Sequence, residues 1–181
     1  GYGGKQRGEC EVEAAKLARE TGKPVKVSWG RSDEFLAGYF RPAGLIEASG
    51  KVDAAQRITH WDFHNYNSGA SGLGHPYAIE NYYCAWHPCE SVIRQGSYRS
   101  LAAVGNAFAR EGLVDLLART AGADAVEFRM KNLREARGKE VLARAAERFG
   151  WGKRKKEAGY GEGVAVNLEK GGHLACFAGL R

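Results

Sequence analysis

The sequence predicts an α+β fold with mixed sheets and packed helices. Helical and strand-like segments are mixed along the chain without the regular strand–helix–strand period of a parallel α/β fold. Of the 181 residues, 44% are apolar and 10% aromatic, which suits a folded core and argues against intrinsic disorder. We expect one partial domain over residues 1–178 and a short truncated end at residues 179–181.

The first part of the chain predicts a helix followed by strands. Apolar positions over residues 9–20 recur at helical spacing, and a Thr-Gly-Lys-Pro turn ends this helix. Apolar and polar residues alternate over residues 24–29, which predicts a half-buried strand and, with the helix, one αβ unit. Two further strands are predicted at residues 45–52 and 58–63, and the short link between them favours antiparallel pairing.

A loop and three helices follow. Residues 65–76 are rich in Gly, Ser and Asn, and loops of this length are more often functional or packed against a partner. The strongest helix is predicted at residues 106–121, with Phe108, Leu113, Leu116 and Leu117 on one apolar face. The other predicted elements are strands at 82–87, 161–166 and 173–177 and helices at 123–133 and 139–149, the two helices being separated by Arg137 and Gly138.

Charge and cysteine content argue against several classes of function. The net charge is +6, but the only dense basic cluster is at residues 153–156, and no nucleic-acid-binding motif accompanies it, so we interpret it as a solvated linker. No apolar run of about 18 residues exists, so no membrane span is predicted. Cys84 and Cys89 flank His87, but structural zinc usually needs about four closely spaced ligands, so free thiols are expected.

A glycine turn at the start of the chain is the first candidate binding element. Gly1, Tyr2, Gly3 and Gly4 are followed by Lys5 and then by the first helix. Glycines let a ligand approach the main chain closely, and backbone N–H groups can then face an anion. Taken alone, this short pattern favours a purely structural turn. Because nothing precedes the turn, we expect the chain to be a piece of a larger protein.

The second candidate element lies before the strongest helix. Tyr98, Arg99 and Ser100 follow Gly96, and a guanidinium beside glycine can form two hydrogen bonds to phosphate or carboxylate. The alternative for Arg99 is a surface ion pair with a helix carboxylate such as Glu111. Two such turns, each leading into a helix, favour one shared anionic ligand.

At these residues the sequence resembles the molybdopterin-binding subunit of the xanthine dehydrogenase and aldehyde oxidase family. The similarity is greatest to the bacterial branch that includes isoquinoline 1-oxidoreductase. The family's first cofactor loop reads glycine, aromatic, glycine, glycine, lysine, as residues 1–5 do. Further stretches similar to the family lie at residues 9–18, 22–31, 67–72, 94–99, 126–133, 145–151 and 169–171.

The resemblance implies an oxidoreductase of the molybdenum hydroxylase class. Such an enzyme inserts a water-derived oxygen into an aldehyde or N-heterocycle, and its electrons leave through iron–sulfur clusters on a partner domain or subunit. The remainder of the molybdopterin subunit is a further implied partner. The implied contacts to the molybdenum–molybdopterin cofactor are Gly1, Tyr2, Gly3, Gly4, Tyr98, Arg99 and Ser100.

Two departures bear on what this chain does by itself. Gln6 stands where xanthine-oxidising members carry glutamate, so that substrate contact is not expected. The family's general base and its glutamine-containing loop are expected beyond Arg181, so no catalytic residue or metal ligand is assigned, and the isolated chain is expected to be inactive. Glu9, Glu111 and Glu169 are interpreted as surface carboxylates. The alternatives are a non-redox phosphate- or nucleotide-binding module and an inactive truncated remnant.

Overall fold

The structure is a computed structural model that describes residues 8–153 and 157–181. Within these ranges, helices and mixed sheets form the predicted α+β arrangement. The predicted loop at residues 1–4 and most of the basic cluster lie outside the described residues. The elements are α1 (Glu9–Thr21), α2 (Arg31–Ala37), β1 (Leu45–Val52), β2 (Ile58–Tyr66), β3 (Tyr82–His87), α3 (Ala103–Thr120), α4 (Ala125–Asn132), α5 (Ala136–Phe149), β4 (Gly161–Glu169) and β5 (Gly172–Leu180).

A three-stranded sheet in the order β1–β2–β3 forms one side of the core. The predicted antiparallel pairing of β1 with β2 is confirmed, whereas β3 pairs with β2 in parallel. Trp61 and Phe63 of β2 are buried. Helix α3 packs closely on β1, since a Cβ at Gly50 would lie 3.0 Å from Cδ1 of Leu117.

The strands β4 and β5 form an antiparallel hairpin on which α5 packs. Val164 and Val166 contribute the buried face of β4. The prediction that Arg137 and Gly138 separate two helices is wrong, because both lie within α5. Gly138 is buried against the hairpin, and a Cβ there would lie in van der Waals contact with His173 at 3.6 Å, so helix and hairpin pack closely at this point.

The region between α1 and β1 differs from the prediction in two ways. Residues 24–29 keep the alternating exposure expected of a strand, but no strand within the described ranges pairs with them. Instead, Trp29 donates its indole N–H to Oε2 of Glu13 at 2.8 Å, so this extended segment lies along α1. The short helix α2 was not predicted; it starts where the Asp33 carboxylate accepts the Gly30 N–H at 2.9 Å.

Helix α3 buries a different face from the one predicted. Leu113 and Leu117 are buried as expected, but Phe108 is 84% exposed and Leu116 is 53% exposed. The prediction fails for these two because the buried side of the helix also carries Asn106, Arg110 and Glu111. No helix within the described ranges is long and apolar enough to cross a membrane.

A buried ionic network centred on Glu111 joins α3 to its neighbours. The interpretation of Glu111 as a surface carboxylate is wrong, since the residue is only 5% exposed. Its carboxylate accepts hydrogen bonds from Tyr77 Oη at 2.9 Å, Arg129 Nε at 3.0 Å and the Val166 N–H at 3.0 Å. Arg110 Nε lies 3.4 Å from the same carboxylate. The network compensates each buried charge, which is the condition for burying ions at tolerable cost.

The geometry of this network determines the ionisation of Tyr77 and Arg129. Burial and the neighbouring Glu111 carboxylate raise the pKa of Tyr77 well above its usual value, so the phenol stays neutral and donates. Burial alone would lower the pKa of Arg129, but Tyr77, Glu111 and Asp115 raise it, so the guanidinium stays charged. Tyr77 and Arg129 therefore both remain donors to the Glu111 carboxylate across the physiological pH range.

Candidate functional site

Three separate segments line a surface cavity of about 230 Å³ before the N-terminus of α3. They comprise residues 41–42, residues 68–71 and residues 96–98 with 101–102. The cavity therefore brings the second predicted binding turn together with the glycine-rich loop at residues 65–76.

A short backbone pairing places the first segment beside the turn. Phe40 donates its N–H to the Arg94 carbonyl at 3.0 Å and accepts from the Gly96 N–H at 3.3 Å. Only glycine fits at position 96, since a Cβ there would lie 2.7 Å from Cγ of Tyr39. This close approach brings Arg41 alongside the turn at residues 98–101.

Buried amides hold the loop that forms the opposite wall. Asn106 of α3 is fully buried and donates to the carbonyls of Ser71 at 2.9 Å and Gly69 at 3.2 Å. Asn65 of β2 is also fully buried and donates to Ser68 Oγ at 2.8 Å. Because these donors belong to a helix and a strand, the loop is fixed relative to both elements.

The turn that enters α3 has an unusual backbone. Ser100 and Leu101 have φ values of 70° and 51°, a left-handed conformation that costs residues other than glycine about 1–2 kcal/mol each. The Leu101 N–H closes the turn on the Tyr98 carbonyl at 2.8 Å. Such a conformation persists only where its surroundings enforce it, and it is found more often at binding sites than elsewhere.

The structure places the predicted residues Tyr98, Arg99 and Ser100 on this turn, and all three are exposed. The Tyr98 ring lines the cavity. The Arg99 guanidinium has no hydrogen-bond or ion-pair partner within residues 8–153 and 157–181. The alternative that Arg99 pairs with Glu111 is wrong, because Glu111 is buried among Tyr77, Arg110 and Arg129.

Arg41 is a cavity residue that the sequence did not indicate. Its guanidinium donates to the carbonyls of Leu101 at 2.8 Å and Arg99 at 2.6 Å and lies 4.6 Å from the centre of the Tyr98 ring. Nothing in the sequence pattern around Arg41 distinguishes it from other exposed arginines. The wall at residues 68–71 was predicted as a loop with possible function, but its position in the cavity was not.

The cysteines are described in full by the structure. All four are free, and within the described ranges no group of His, Cys, Asp and Glu is arranged to hold a metal ion. His87, which the sequence places between Cys84 and Cys89, instead lies with Nε2 2.8 Å from Nδ1 of His64.

The cavity lies next to groups that can bind an anion. The α3 N-terminus favours negative charge, whereas the Cβ positions of Gly69 and Gly96 meet Ala102 and Tyr39 rather than open space. On the turn at residues 98–101, Arg99 offers a guanidinium that nothing in the described part of the chain engages. A molybdopterin group has both a ring and a phosphate, so the donor set fits such a cofactor.

Comparison with known proteins identifies the domain. A family model described as the molybdopterin cofactor-binding domain matches residues 1–133. The beta subunit of isoquinoline 1-oxidoreductase from Brevundimonas diminuta is 29% identical over an alignment that covers 97% of this chain and 26% of that protein. A nicotinate dehydrogenase subunit from Pseudomonas putida is 26% identical over 83% of this chain and 15% of that protein.

Solved structures show the same fold. Quinoline 2-oxidoreductase from Pseudomonas putida 86 superposes with a TM-score of 0.70 at 20% identity, covering 86% of this chain and 25% of that one. Aldehyde oxidoreductase from Desulfovibrio gigas gives a TM-score of 0.66 at 18% identity, covering 86% and 21%.

This chain thus spans about a quarter or less of the length of the curated relatives described above. These matches do not favour the non-redox phosphate-binding alternative. Because the family match covers most of the chain, including the cavity and the turn before α3, the chain belongs to the molybdopterin cofactor-binding domain family.

Proposed function

We propose that this chain is the cofactor-binding part of a molybdenum hydroxylase that oxidises an aldehyde or an N-heterocycle. The observation that carries the proposal is the cavity before α3 in the matched region, next to a strained turn that carries Arg99, unpaired within the described ranges. The names of three relatives, which refer to isoquinoline, nicotinate and quinoline, support the N-heterocycle class of substrate.

In this proposal the chain's own residues bind and orient the cofactor. The Arg99 guanidinium binds an anionic oxygen with its planar fork, and Tyr98 forms one wall of the cavity. Backbone N–H groups of Ser100 and the Gly1, Tyr2, Gly3 and Gly4 loop contribute further hydrogen bonds. When bound, the molybdenum–molybdopterin cofactor supplies the two-electron oxidation and the water-derived oxygen.

The proposal extends to partners. Electrons leave to iron–sulfur clusters on a partner domain or subunit, and the remainder of the molybdopterin subunit supplies the general base. Residues 1–178 form part of one cofactor-binding domain in that larger protein. The isolated chain is therefore inactive, whereas the complete protein turns over its substrate.

Replacement of Arg99 by lysine tests the proposal in the complete protein. Arg99→Lys keeps the charge but loses the fork, and removing one charge-assisted hydrogen bond costs about 1.5–3 kcal/mol, roughly a ten- to hundredfold loss of cofactor affinity. Folding stability stays nearly unchanged because Arg99 is exposed.

The measurement is molybdenum content per polypeptide, taken together with the melting temperature. Full molybdenum occupancy with a lowered melting temperature would show that Arg99 is a structural residue and would remove the cofactor role.

A further inference from the structure

We propose that Arg41 is the positioning residue of the cofactor turn at residues 98–101. It acts through Arg99, by holding the turn in the conformation that binds the cofactor. This inference rests on the proposed function of the cavity. Its test distinguishes failure of the inference from failure of the proposed function.

The contacts of Arg41 match the shape of a guanidinium. Nη1 donates to the Leu101 carbonyl at 2.8 Å and Nη2 donates to the Arg99 carbonyl at 2.6 Å. The same guanidinium lies 4.6 Å from the centre of the Tyr98 ring. One planar group thus contacts the turn on both sides of Ser100, and a single ammonium cannot reproduce both hydrogen bonds and the ring contact.

The turn needs an external restraint. Ser100 and Leu101 are both left-handed, and two such residues in succession relax to ordinary backbone unless something holds them. Within the described ranges, the only side chain that donates to the carbonyls of Arg99 and Leu101 is that of Arg41. Release of these carbonyls would let the Arg99 main chain rotate, and the direction of its side chain would change with it.

The position of Arg41 separates this role from a role in folding. Arg41 is exposed, and its contacts are to a surface turn rather than to the core. An exposed guanidinium contributes little to the free energy of unfolding. Its three contacts are therefore better explained as holding the turn in its conformation than as stabilising the domain.

Arg94 provides a matched control. It donates Nη1 to the Ala37 carbonyl at 2.8 Å and lies 5.7 Å from the centre of the Tyr39 ring, so it makes the same kinds of contact. It is not among the residues that line the cavity. Arg94→Lys removes a guanidinium from a carbonyl and a ring without touching the turn, and it keeps the positive charge that pairs with Glu9 at 3.4 Å.

The first test compares Arg41→Lys with Arg94→Lys in the complete protein, purified with its cofactor. We expect Arg41→Lys to weaken cofactor retention about tenfold, since one charge-assisted hydrogen bond is lost, while the melting temperature stays constant. In the fraction that keeps molybdenum, the Mo(V) electron paramagnetic resonance signal changes as it does in Arg99→Lys. Arg94→Lys alters neither the molybdenum content nor the signal. An unchanged molybdenum content and signal in Arg41→Lys would overturn the inference.

The second test is the double variant Arg41→Lys/Arg99→Lys. If Arg41 acts through Arg99, the double variant retains as much molybdenum as Arg99→Lys alone, because the second change removes nothing further. If the two substitutions instead reduce molybdenum retention by factors that multiply, the positioning role is overturned and the proposed function stays intact. Full molybdenum occupancy in Arg99→Lys would overturn both.

Discussion

Helix α3 borders two regions that use arginine in opposite ways. At its middle, Arg110 and Arg129 are buried, and their donors are engaged by Glu111 and by backbone and side-chain oxygens. Before its N-terminus, Arg41 and Arg99 are exposed; one contacts only carbonyls and a ring, and the other is unpaired within the described ranges. Substitutions in the buried network should change folding, whereas those at the cavity should change binding.

Removal of the Glu111 charge should have the largest effect. Glu111→Gln leaves two buried guanidinium groups without their shared counter-charge, and loss of one partner in a buried ion pair costs about 3–5 kcal/mol. The free energy of unfolding, measured with denaturant, should fall by that amount. The control is Glu140→Gln, whose exposed pair with Arg144 is worth about 1 kcal/mol or less. Equal losses in the two variants would contradict the proposed contribution of the buried network to folding.

A glycine between the two regions should give an intermediate effect. Gly72 has a φ of 69°, and an added Cβ would lie 2.9 Å from Cβ of Ala103 in the first turn of α3. Gly72→Ala should therefore cost about 1–3 kcal/mol from backbone strain and overpacking. Gly74→Ala is the matched control, since nothing lies within 4 Å of its Cβ position and its φ is not positive. Thermal unfolding of both variants tests this, and a neutral Gly72→Ala would show that the loop adapts freely.

The smallest expected effect is a dependence of folding stability on pH. Burial lowers the pKa of His75 below its ordinary value of 6.5, and the nearby charges of Arg134 and Arg110 lower it further, against a raising contribution from the Tyr77 carbonyl. Below about pH 6.5 the unfolded chain binds a proton that the folded chain does not, so stability is present above that pH and is lost as the pH falls through the folded pKa.

Denaturant midpoints between pH 7.5 and about 5 measure this dependence. His75→Gln should flatten the acidic slope, while His60→Gln, at an exposed position, should leave it unchanged. A slope that survives in His75→Gln would assign the dependence to other groups.

The sequence predicts the helices and strands better than it predicts which of them pair or pack together. Periodicity located α1, α3, α4, α5 and all five strands within a few residues, because local pattern reflects which side of an element is buried. Residues 24–29 show the limit: the alternation is present, but a strand also needs a neighbour. Phe108 and Glu111 reverse the expected exposure because the buried side of α3 is defined by an ionic network drawn from distant segments.

The site was predictable only in part. Tyr98, Arg99 and Ser100 were identified because their local pattern of glycine, polar residues and a following helix resembles a family motif. Arg41 had no such signal, since its contacts with the turn depend on a backbone pairing between Phe40 and residues 94–96. Contacts of this kind depend on chain topology, which a single sequence does not reveal.

The Arg110 side chain also constrains the order in which the protein can assemble during synthesis. It donates to the carbonyls of Gly72 and Gly74 and, through Nη2, to Oδ1 of Asn167 on β4 at 2.7 Å. Gly72 leaves the ribosome long before Asn167, so this set of contacts cannot close until the hairpin has been made. The loop beside the cavity therefore gains this support only after β4 has been translated.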